Sequence, residues 1–303
     1  MRYRYQNLNL IIRKLKLSDY KSFSSLFYSC FKKKISYEFF KWRYFNDRHS
    51  FCYGVFVSSQ LIANVGMKSM YLNNGMSQMT FSRHSSMVKS RYRGLGIYSK
   101  LLNIVRNKIS NKVKILIMWP NKNNYGSFGI KKNLIKHRKY YLYKIINKKK
   151  IYSKTENFNI ESLGNFKNLI VQNNDFFFKD YDYFKKRYIS YKKDDYYLNF
   201  FKFKNMFSVY LIKKNKKKLG YDNVILDHFG SLKIKSKHFN QLKNEKTNLI
   251  FLSKRKINKL NYKFINHINI KIGLIKKINS LKVNNLIKKE FAMGDTDSFL
   301  SIE

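Results

Sequence analysis

The stretch RYRGLGIY, residues 91–98, decides the fold of this chain because it places an arginine and two glycines at the spacing R-x-x-G-x-G. It lies between a predicted strand at 78–88 (QMTFSRHSSMV) and a predicted helix at 97–109 (IYSKLLNIVRNKI). A glycine turn between a strand and a helix lets the backbone approach a ligand, because no Cβ stands in the way. It also leaves the first N–H groups of the helix unpaired, and these donors, with the helix dipole, favour a phosphate. The stretch therefore predicts a site for a phosphate-bearing cofactor.

Two other phosphate-binding motifs are excluded. A dinucleotide fingerprint needs G-x-G-x-x-G, and Ser99 stands where its third glycine would be. The P-loop pattern G-x-x-x-x-G-K-[ST] is absent from the sequence.

The elements that follow narrow the family. An apolar strand, KILIMWPN (114–121), is followed by a second predicted helix from about Asn123 (NNYGSFGIKKNLIKHRKY). The segments MVKSRYRGLGIYSKLL and MWPNKNNYGSF, in this order, resemble the GNAT superfamily of acyl-CoA N-acyltransferases over roughly residues 78–136. The opening segment NLNLIIRKLKLSDYKSFSSLFYSCF is similar to the first strand and helix of that family, with Ser18 or Asp19 as the predicted N-cap. The resemblance implies an α/β fold with a mixed sheet, GNAT-like, and acetyl-CoA as cosubstrate.

The resemblance also implies how acetyl-CoA is held. Backbone N–H groups of the strand before the glycine loop, at Met87 and Val88, would contact the pantetheine arm and the acyl carbonyl. The pyrophosphate would lie on the N–H groups of the loop from Tyr92 to Ile97, with charge added by arginine side chains. The asparagine opening the next helix would contact the pantetheine arm. The predicted cofactor-binding residues are Met87, Val88, Arg91, Tyr92, Arg93, Gly94, Leu95, Gly96, Ile97, Tyr98 and Asn123.

A general base is harder to identify, because the strand that carries a glutamate in many family members has no carboxylate here. His84 is the predicted base, since an imidazole titrates near neutral pH. Period-two alternation places Ser82, His84, Ser86 and Val88 on one face, unless a bulge changes the parity. Acids and bases from the second half stay open as alternatives: Asp227, His228, Asp295 and Asp297.

The general acid departs from the family pattern. The family tyrosine, seven residues after Asn123, is Ile130 here. Tyr98 and Tyr125 are the nearest replacements, and Tyr125 is the predicted catalytic tyrosine. No metal site is expected, because the six histidines show no paired ligand spacing and neither cysteine joins one.

The formal net charge of +46 admits two interpretations. One is a nucleic-acid or anionic-surface partner. The other is codon composition, since lysine outnumbers arginine about four to one and the lysines are spread along the chain. Specific readers of nucleic acid rely on arginine for bidentate contacts. We therefore expect a solvated basic surface with at most weak association with anionic surfaces, and one that attracts anionic ligands such as CoA.

Localisation follows from what the sequence contains. No apolar run reaches the ~18 residues of a membrane span, and the N-terminus lacks the apolar core of a signal peptide. Cys30 and Cys52 form no C-x-x-C pair and are expected to be thiols. These features predict a cytoplasmic protein without an integral membrane segment.

A degenerate duplication is the last pattern. YEFFKWRYF (37–45) and YDYFKKRYI (181–189) align at an offset of 144, and each precedes a predicted strand pair, at 51–71 and 197–212. The second copy lacks the glycine loop. We therefore predict a GNAT-like acyl-CoA-binding domain at 1–150 and a degenerate GNAT-like domain at 151–303 that completes the acceptor cleft.

The predicted activity is transfer of an acetyl group from acetyl-CoA to an amine of a small-molecule acceptor. Three short segments (W-R-Y at 42–44, P-N-K-N at 120–123 and G-D-T-D at 294–297) are similar to acetyltransferases of bacterial surface-polysaccharide pathways. That similarity implies an amino sugar, its nucleotide or a glycan intermediate as acceptor. Two alternatives remain open: a Fem-type aminoacyl transferase that uses aminoacyl-tRNA, and a non-enzymatic basic binder of nucleic acid or anionic surfaces.

Overall fold

The computed structural model describes thirteen stretches of the chain, and every structural statement here refers to them. They are residues 2–5, 8–47, 49–71, 79–110, 115–118, 134–145, 155–170, 179–190, 196–203, 206–217, 220–230, 247–253 and 262–274. The chain divides into two compact units. The first unit holds the described residues up to Tyr71, those from Met79 to His137, and those from Ile270 onward. The second holds the described residues between Arg138 and Asn269.

The first unit combines three helices with a mixed sheet. Its helices are α1 (Tyr20–Phe31), α2 (Tyr37–Phe45) and α3 (Ile97–Ile109). Its strands are β1 (Arg2–Tyr5), β2 (Leu8–Lys14), β3 (Phe51–Val57), β4 (Gln60–Tyr71), β5 (Met79–Val88) and β6 (Ile115–Met118). They lie in the order β1-β2-β3-β4-β5-β6, antiparallel except for the parallel β5–β6 pair. The last residues of β13 (Tyr262–Leu274) pair antiparallel with β6.

One face of this sheet packs on α3. Buried residues of α3 recur every fourth position, at Ile97, Leu101, Val105 and Ile109. This spacing places them on one stripe of the helix, and the stripe packs on the strands in a cluster that includes Phe81. Burial of each such side chain contributes about 1.5–3 kcal/mol, so the stripe fixes how α3 lies on the sheet.

The opposite face is covered by α1 and α2. Phe23 of α1 and Phe40 and Tyr44 of α2 are almost fully buried and pack with Cys52 and Met87 from the strands. The ring centroids of Phe23 lie 4.8 Å from Phe40 and 4.9 Å from Tyr44. Ser36 begins α2 by accepting a hydrogen bond from the Phe39 N–H. The aromatic cluster therefore fixes Tyr44 against the sheet.

The second unit contains further strands and short helical segments. Its strands are β7 (Leu134–Ile145) from Arg138 onward, β8 (Thr155–Asn159), β9 (Tyr196–Phe203), β10 (Met206–Lys217), β11 (Gly220–Gly230) and β12 (Thr247–Ser253). They lie in the order β7-β12-β11-β10-β9-β8, and β11–β12 is the parallel pair. Its helices are α4 (Lys167–Ile170) and α5 (Tyr181–Phe184), which continues into a π-helical turn at Lys185–Ile189.

These elements confirm the predicted mixed α/β class, and α3 has the bounds that the sequence predicts. Asp19 takes the N-cap position of α1, but its carboxylate binds Arg13 and the Lys16 N–H instead of capping that helix.

The predicted helix beginning at Asn123 is wrong over residues 134–140, because that segment forms part of β7. Strand-forming residues are concentrated at the end of β7, in YYLYKI (140–145), and this part of the strand pairs antiparallel with β12. The predicted boundary at residue 150 stays a prediction.

Candidate active site

The glycine loop has the backbone that its sequence requires. Residues Ser90–Tyr92 form a 3₁₀ turn after β5, and Gly94 and Gly96 then adopt left-handed conformations with φ of 79° and 73°. Gly96 is the N-cap of α3. An L-residue pays roughly 1–2 kcal/mol in this region. A Cβ on Gly94 would meet no heavy atom within 4 Å, so this glycine serves backbone conformation and leaves open space in front of the loop.

The N–H groups of the loop fall into two sets. Tyr92 donates its N–H to Lys89 O at 2.9 Å, and Arg93 donates its N–H to Ser90 O at 3.0 Å. Within the described stretches, no acceptor takes the N–H groups of residues 94–99. The donors that can face a ligand are therefore displaced by two residues from the predicted set, which began at Tyr92. They surround the N-terminus of a thirteen-residue helix, where backbone donors and dipole both favour an anion.

The side chains of the loop support its backbone. Arg91 donates to the Tyr92 hydroxyl at 2.7 Å and to Gln60 Oε1 at 3.1 Å, and its guanidinium lies 4.7 Å from the Tyr92 ring centroid. Arg93 donates Nε–H to Val88 O at 3.0 Å. Both arginines are exposed, whereas Tyr92 is buried. Ile97 is buried and Leu95 packs against the α3 core, so these two predicted residues anchor the loop through their side chains.

The strand before the loop contains a β-bulge. The pairing with β4 runs from Tyr71↔Met79 to Gly66↔His84 and resumes at Asn64↔Met87, so β5 holds one extra residue. Ser85 within it has φ of 47°, a left-handed value uncommon for a non-glycine residue. Asn64 stabilises the bulge, since its Nδ2 donates to Ser85 O at 3.0 Å. Bulges commonly redirect side chains next to active sites.

The edge of β5 that faces β6 is paired over a short stretch among the described residues. The strand pairs in parallel with β6 only at residues 81–83 among the residues described. Beyond the bulge, Lys89 donates its N–H to Ile62 O on β4. Because N–H directions alternate along a strand, the Val88 N–H points to the opposite edge, on the side of β6. Met87, by contrast, buries its side chain in the α1–α2 core.

The bulge changes the parity of the β5 side chains, which is the exception that the sequence analysis left open. His84 stacks on Tyr44 of α2, whereas Ser86 accepts from the Tyr98 hydroxyl of α3 at 2.5 Å. The one extra residue reverses the parity between positions 84 and 86. Ser82 and His84 therefore precede the reversal, and Ser86 and Val88 follow it on the other face.

His84 is held closely on several sides. It is 9% exposed, and its ring stacks on Tyr44 with centroids 5.3 Å apart and an interplanar angle of 21°. Its Nδ1 lies 3.1 Å from Ser85 Oγ, and that Oγ lies 2.7 Å from the Tyr44 hydroxyl. An added Cβ on Gly66 would come within 2.3 Å of His84 Cε1, so the imidazole lies directly over that glycine.

Two tyrosines near the bulge keep their protons. Burial raises the pKa of Tyr44 to about 12. Burial also raises the pKa of Tyr98, opposed by the charge of Arg83 and the bond to Ser86. Both hydroxyls therefore remain neutral donors near neutral pH.

Other predicted residues divide by location. Asn123, Tyr125, Asp295 and Asp297 lie outside the described residues. Asp227 is buried and bound by Lys179 at 2.5 Å and by the Tyr188 hydroxyl at 2.6 Å. No group of three potential metal ligands occurs among the described residues. In the same residues, no helix is long and apolar enough to cross a membrane.

Sequence reasoning missed three contributors to this site, namely Tyr44, Gly66 and Ser85. The sequence analysis used Tyr44 in the repeated helix and in the W-R-Y segment, and gave it no role in the site. A signal for Gly66 exists, since a glycine inside a strand indicates a bulge or a close approach. The position of the bulge at Ser85 left no comparable mark in the sequence.

Comparison with known proteins places the fold. No family model and no curated protein matches this chain. Among solved structures, a GCN5-related N-acetyltransferase from Anabaena variabilis matches with a TM-score of 0.66, 10% identity, and coverage of 90% of this chain and 74% of that chain. Another GCN5-related N-acetyltransferase, from Kribbella flavida, matches with a TM-score of 0.57 and 11% identity, and the match covers 88% of this chain and 71% of that chain. A third, from Sphaerobacter thermophilus, matches with a TM-score of 0.54 and 10% identity, and the match covers 90% of this chain and 98% of that chain. The chain thus has a GNAT-like fold, as the sequence predicts.

Proposed function

We propose that this protein is an acetyl-CoA-dependent N-acetyltransferase. The observation that carries the proposal is the N-terminus of α3, where two left-handed glycines are followed by N–H groups at 94–99 with no acceptor among the described residues. A run of such donors at a helix start suits a diphosphate. The bulge and the outward Val88 N–H lie in β5, the strand that leads into this loop. We assign the acyl group of the same ligand to that position.

The residues of this site have separate roles in the proposed reaction. The 94–99 amides bind the pyrophosphate of acetyl-CoA, and the Val88 N–H donates to the acyl carbonyl oxygen. His84 takes a proton from the acceptor ammonium. A C–N bond then forms and the C–S bond breaks. Of the two protons that the ammonium loses, one ends on the CoA thiol and the other in solvent.

The leaving thiolate also needs a proton donor. Tyr125 remains the proposed donor on sequence grounds. Tyr98 is the described alternative, since it opens α3, bonds Ser86 of the bulge and keeps its proton at neutral pH. Comparing Tyr125→Phe with Tyr98→Phe in a single-turnover assay assigns the role to the variant that loses the chemical step.

The acceptor is proposed as the amino group of an amino sugar, its nucleotide or a glycan intermediate in surface-polysaccharide biosynthesis. This rests on the short W-R-Y, P-N-K-N and G-D-T-D similarities, and on the net charge of +46, which favours anionic acceptors such as sugar nucleotides. We place the enzyme in the cytoplasm, since the thiols of Cys30 and Cys52 are unpaired. We also propose that the second unit is a degenerate GNAT-like half.

Ligand-induced stabilisation tests the activity class. Acetyl-CoA at 100 times its dissociation constant should raise the free energy of unfolding by about 2.7 kcal/mol. S-acetylpantetheine, which lacks the pyrophosphate, should give a much smaller effect. Gly94→Ala should weaken acetyl-CoA binding by roughly tenfold or more, because each lost hydrogen bond to a charged group is worth about 1.5–3 kcal/mol.

A matched glycine provides the control. Gly164→Ala places a Cβ 3.7 Å from the Tyr181 hydroxyl, an ordinary contact, and should leave acetyl-CoA binding unchanged. Equal stabilisation by acetyl-CoA and S-acetylpantetheine would contradict the assigned pyrophosphate site. Salt-dependent RNA binding without any response to acetyl-CoA would instead favour the nucleic-acid binder.

A further inference from the structure

We propose that Arg83 binds an anionic group of the acceptor, a carboxylate or a phosphate, so that the enzyme prefers amines that carry one. This inference rests on the proposed function and deepens it, because it assigns the recognition of the acceptor's charge to one side chain. Nothing in the sequence pattern singled out Arg83, which lies in the middle of β5.

Arg83 lies on the face of β5 that packs on α3. It stands directly opposite Met67 of β4, and residues that oppose each other across two strands share a face of the sheet. Met67 is buried in the cluster that contains the α3 stripe, as is Phe81, which precedes Arg83 on the same face of β5. Burial raises the pKa of Tyr98 on α3, and the charge of Arg83 opposes this rise. The arginine therefore lies among uncharged, mostly apolar side chains.

Arg83 is a buried cation without an anionic partner among the described residues. It is 7% exposed, and it makes no hydrogen bond or ion pair with any of those residues. The described part of the first unit holds three carboxylates, Asp19, Glu38 and Asp47, and none of them pairs with Arg83. A buried charge without a partner is costly. A bound anion supplies that partner in the proposed complex.

The guanidinium of Arg83 keeps contact with solvent. Its nitrogens are not among the completely buried polar atoms that lack a partner. Since no described residue bonds to them, these nitrogens are not completely buried. A mostly buried cation attracts an anion more strongly than a solvated cation does, because less water screens the pair. The planar fork of N–H donors suits the paired oxygens of a carboxylate or a phosphate.

The order of groups along β5 assigns the anion to the acceptor and not to acetyl-CoA. In the proposed complex the 94–99 amides hold the pyrophosphate, and the Val88 N–H holds the acyl carbonyl. Arg83 precedes Val88 on the strand and lies further from the loop, on the same face. The phosphates of acetyl-CoA lie at the other end of that ligand, whereas the acceptor must approach the acyl carbon.

The acceptor would lie across the edge of β5 that faces β6. Arg83 is the last residue of β5 that pairs with β6 among the described residues. His84, the proposed base, follows it and stacks on Tyr44 on the opposite face. An acceptor at this edge has its ammonium on the His84 side and its anionic group on the Arg83 side. The two groups must be several bonds apart, as they are in an amino-sugar phosphate.

Acceptor kinetics with matched amines test the inference. Glucosamine, glucosamine 6-phosphate and glucosaminuronic acid share one amine and differ in the anionic group. With acetyl-CoA saturating, the KM of at least one anionic amine should lie roughly tenfold to a hundredfold below that of glucosamine, the effect of one hydrogen bond between charged groups. Arg83→Met should remove that difference and leave KM for acetyl-CoA unchanged, whereas Arg83→Lys should keep part of it. The better of the two anionic amines identifies the anion as phosphate or carboxylate.

Stability and a second arginine separate recognition from a structural role. Without ligands, Arg83→Met should raise the urea midpoint of unfolding, because it removes a buried charge that no described residue neutralises. Arg106→Met, in the last turn of α3, removes the same charge from the protein and should leave the preference for anionic amines unchanged. A lower midpoint for Arg83→Met with an unchanged preference would mean that Arg83 serves the fold, and would overturn the proposal.

Equilibrium binding of the same amines distinguishes failure of this inference from failure of the proposed function. If acetyl transfer is absent but an anionic amine binds more tightly than glucosamine, and Arg83→Met abolishes the difference, the function fails and the anion site stands. If acetyl transfer occurs with equal KM for all three amines, the function stands and the inference is wrong. The inference is equally wrong if Arg83→Met retains the preference, or if neither anionic amine binds.

Discussion

Replacing Gly66 with alanine should disrupt the site by displacing the His84 imidazole. The new Cβ would stand 2.3 Å from His84 Cε1 and 2.7 Å from Nδ1, far inside van der Waals contact. The imidazole must move, and with it the Tyr44 stack and the bond to Ser85. Overpacking costs about 1–3 kcal/mol, a lost hydrogen bond about 1 kcal/mol, and Gly→Ala returns about 0.4–1 kcal/mol through the unfolded chain. The free energy of unfolding should therefore fall by about 1–3 kcal/mol.

Urea unfolding measures this change, and a second substitution separates its cause. In a His84→Ala background the atoms that the Cβ meets are gone, so adding Gly66→Ala should be neutral or stabilising by up to about 1 kcal/mol. The pair should thus couple with an energy of about 2–4 kcal/mol, a sum of the terms above. Gly164→Ala, whose Cβ makes an ordinary contact, controls for the glycine itself. If the double variant is as unstable as Gly66→Ala alone, the clash with His84 is not the cause and the reasoning fails.

Three further predictions concern the folded scaffold. Hydrogen bonds from Arg13 lower the pKa of Asp19, so this carboxylate stabilises the fold above its unfolded pKa and loses that contribution as pH falls through the folded value. Asp19→Asn should therefore flatten the fall of stability with pH below about pH 4, by no more than about 1 kcal/mol because the pair is part-exposed, as acid titration of unfolding will measure. Lys179→Met should lower the free energy of unfolding by about 3–5 kcal/mol, because it leaves Asp227 buried without its ammonium partner, and Asp227→Leu added to it should recover much of the loss. Leu101→Ala should cost about 2–5 kcal/mol and Leu101→Met less than about 1.5 kcal/mol, measured by urea unfolding.

The sequence predicted the structure correctly where the residues of one short segment determine its backbone conformation. The two glycines at 94 and 96 require left-handed backbone, and both have it. The apolar spacing of 97–109 defines a helix face, and α3 has those bounds. By contrast, the segment at 134–140 carries no strong local preference. The strand that contains it, β7, pairs at Tyr141–Lys144 with β12, more than one hundred residues away in sequence. Such long-range contacts leave little trace in the local sequence.

For the candidate site, the sequence predicted the backbone of the loop but only some of the side-chain contacts. The loop amides follow from the glycines, although turn bonds of Tyr92 and Arg93 narrow the available set. The partners of His84 do not follow, because one extra residue in β5 changes which side chains share a face. Histidine chemistry nominated the base, but the residues that hold it became visible only with the strand register.

The second unit shows what the first site requires. His228 and Tyr210 stand 144 residues after His84 and Gly66, and Tyr210 pairs with His228 across β10–β11 as Gly66 pairs with His84 across β4–β5. The ring centroids of Tyr210 and His228 lie 6.5 Å apart. The second unit therefore has a tyrosine side chain at the position where the first unit has a glycine. The residue 144 positions after Tyr44 is Tyr188, and its hydroxyl bonds Asp227. If the halves share an origin, as we propose, a histidine alone does not make this site. Among the described residues, a glycine opposite the histidine and a serine hydroxyl beside it occur together in the first unit, on the strand that leads into the glycine loop.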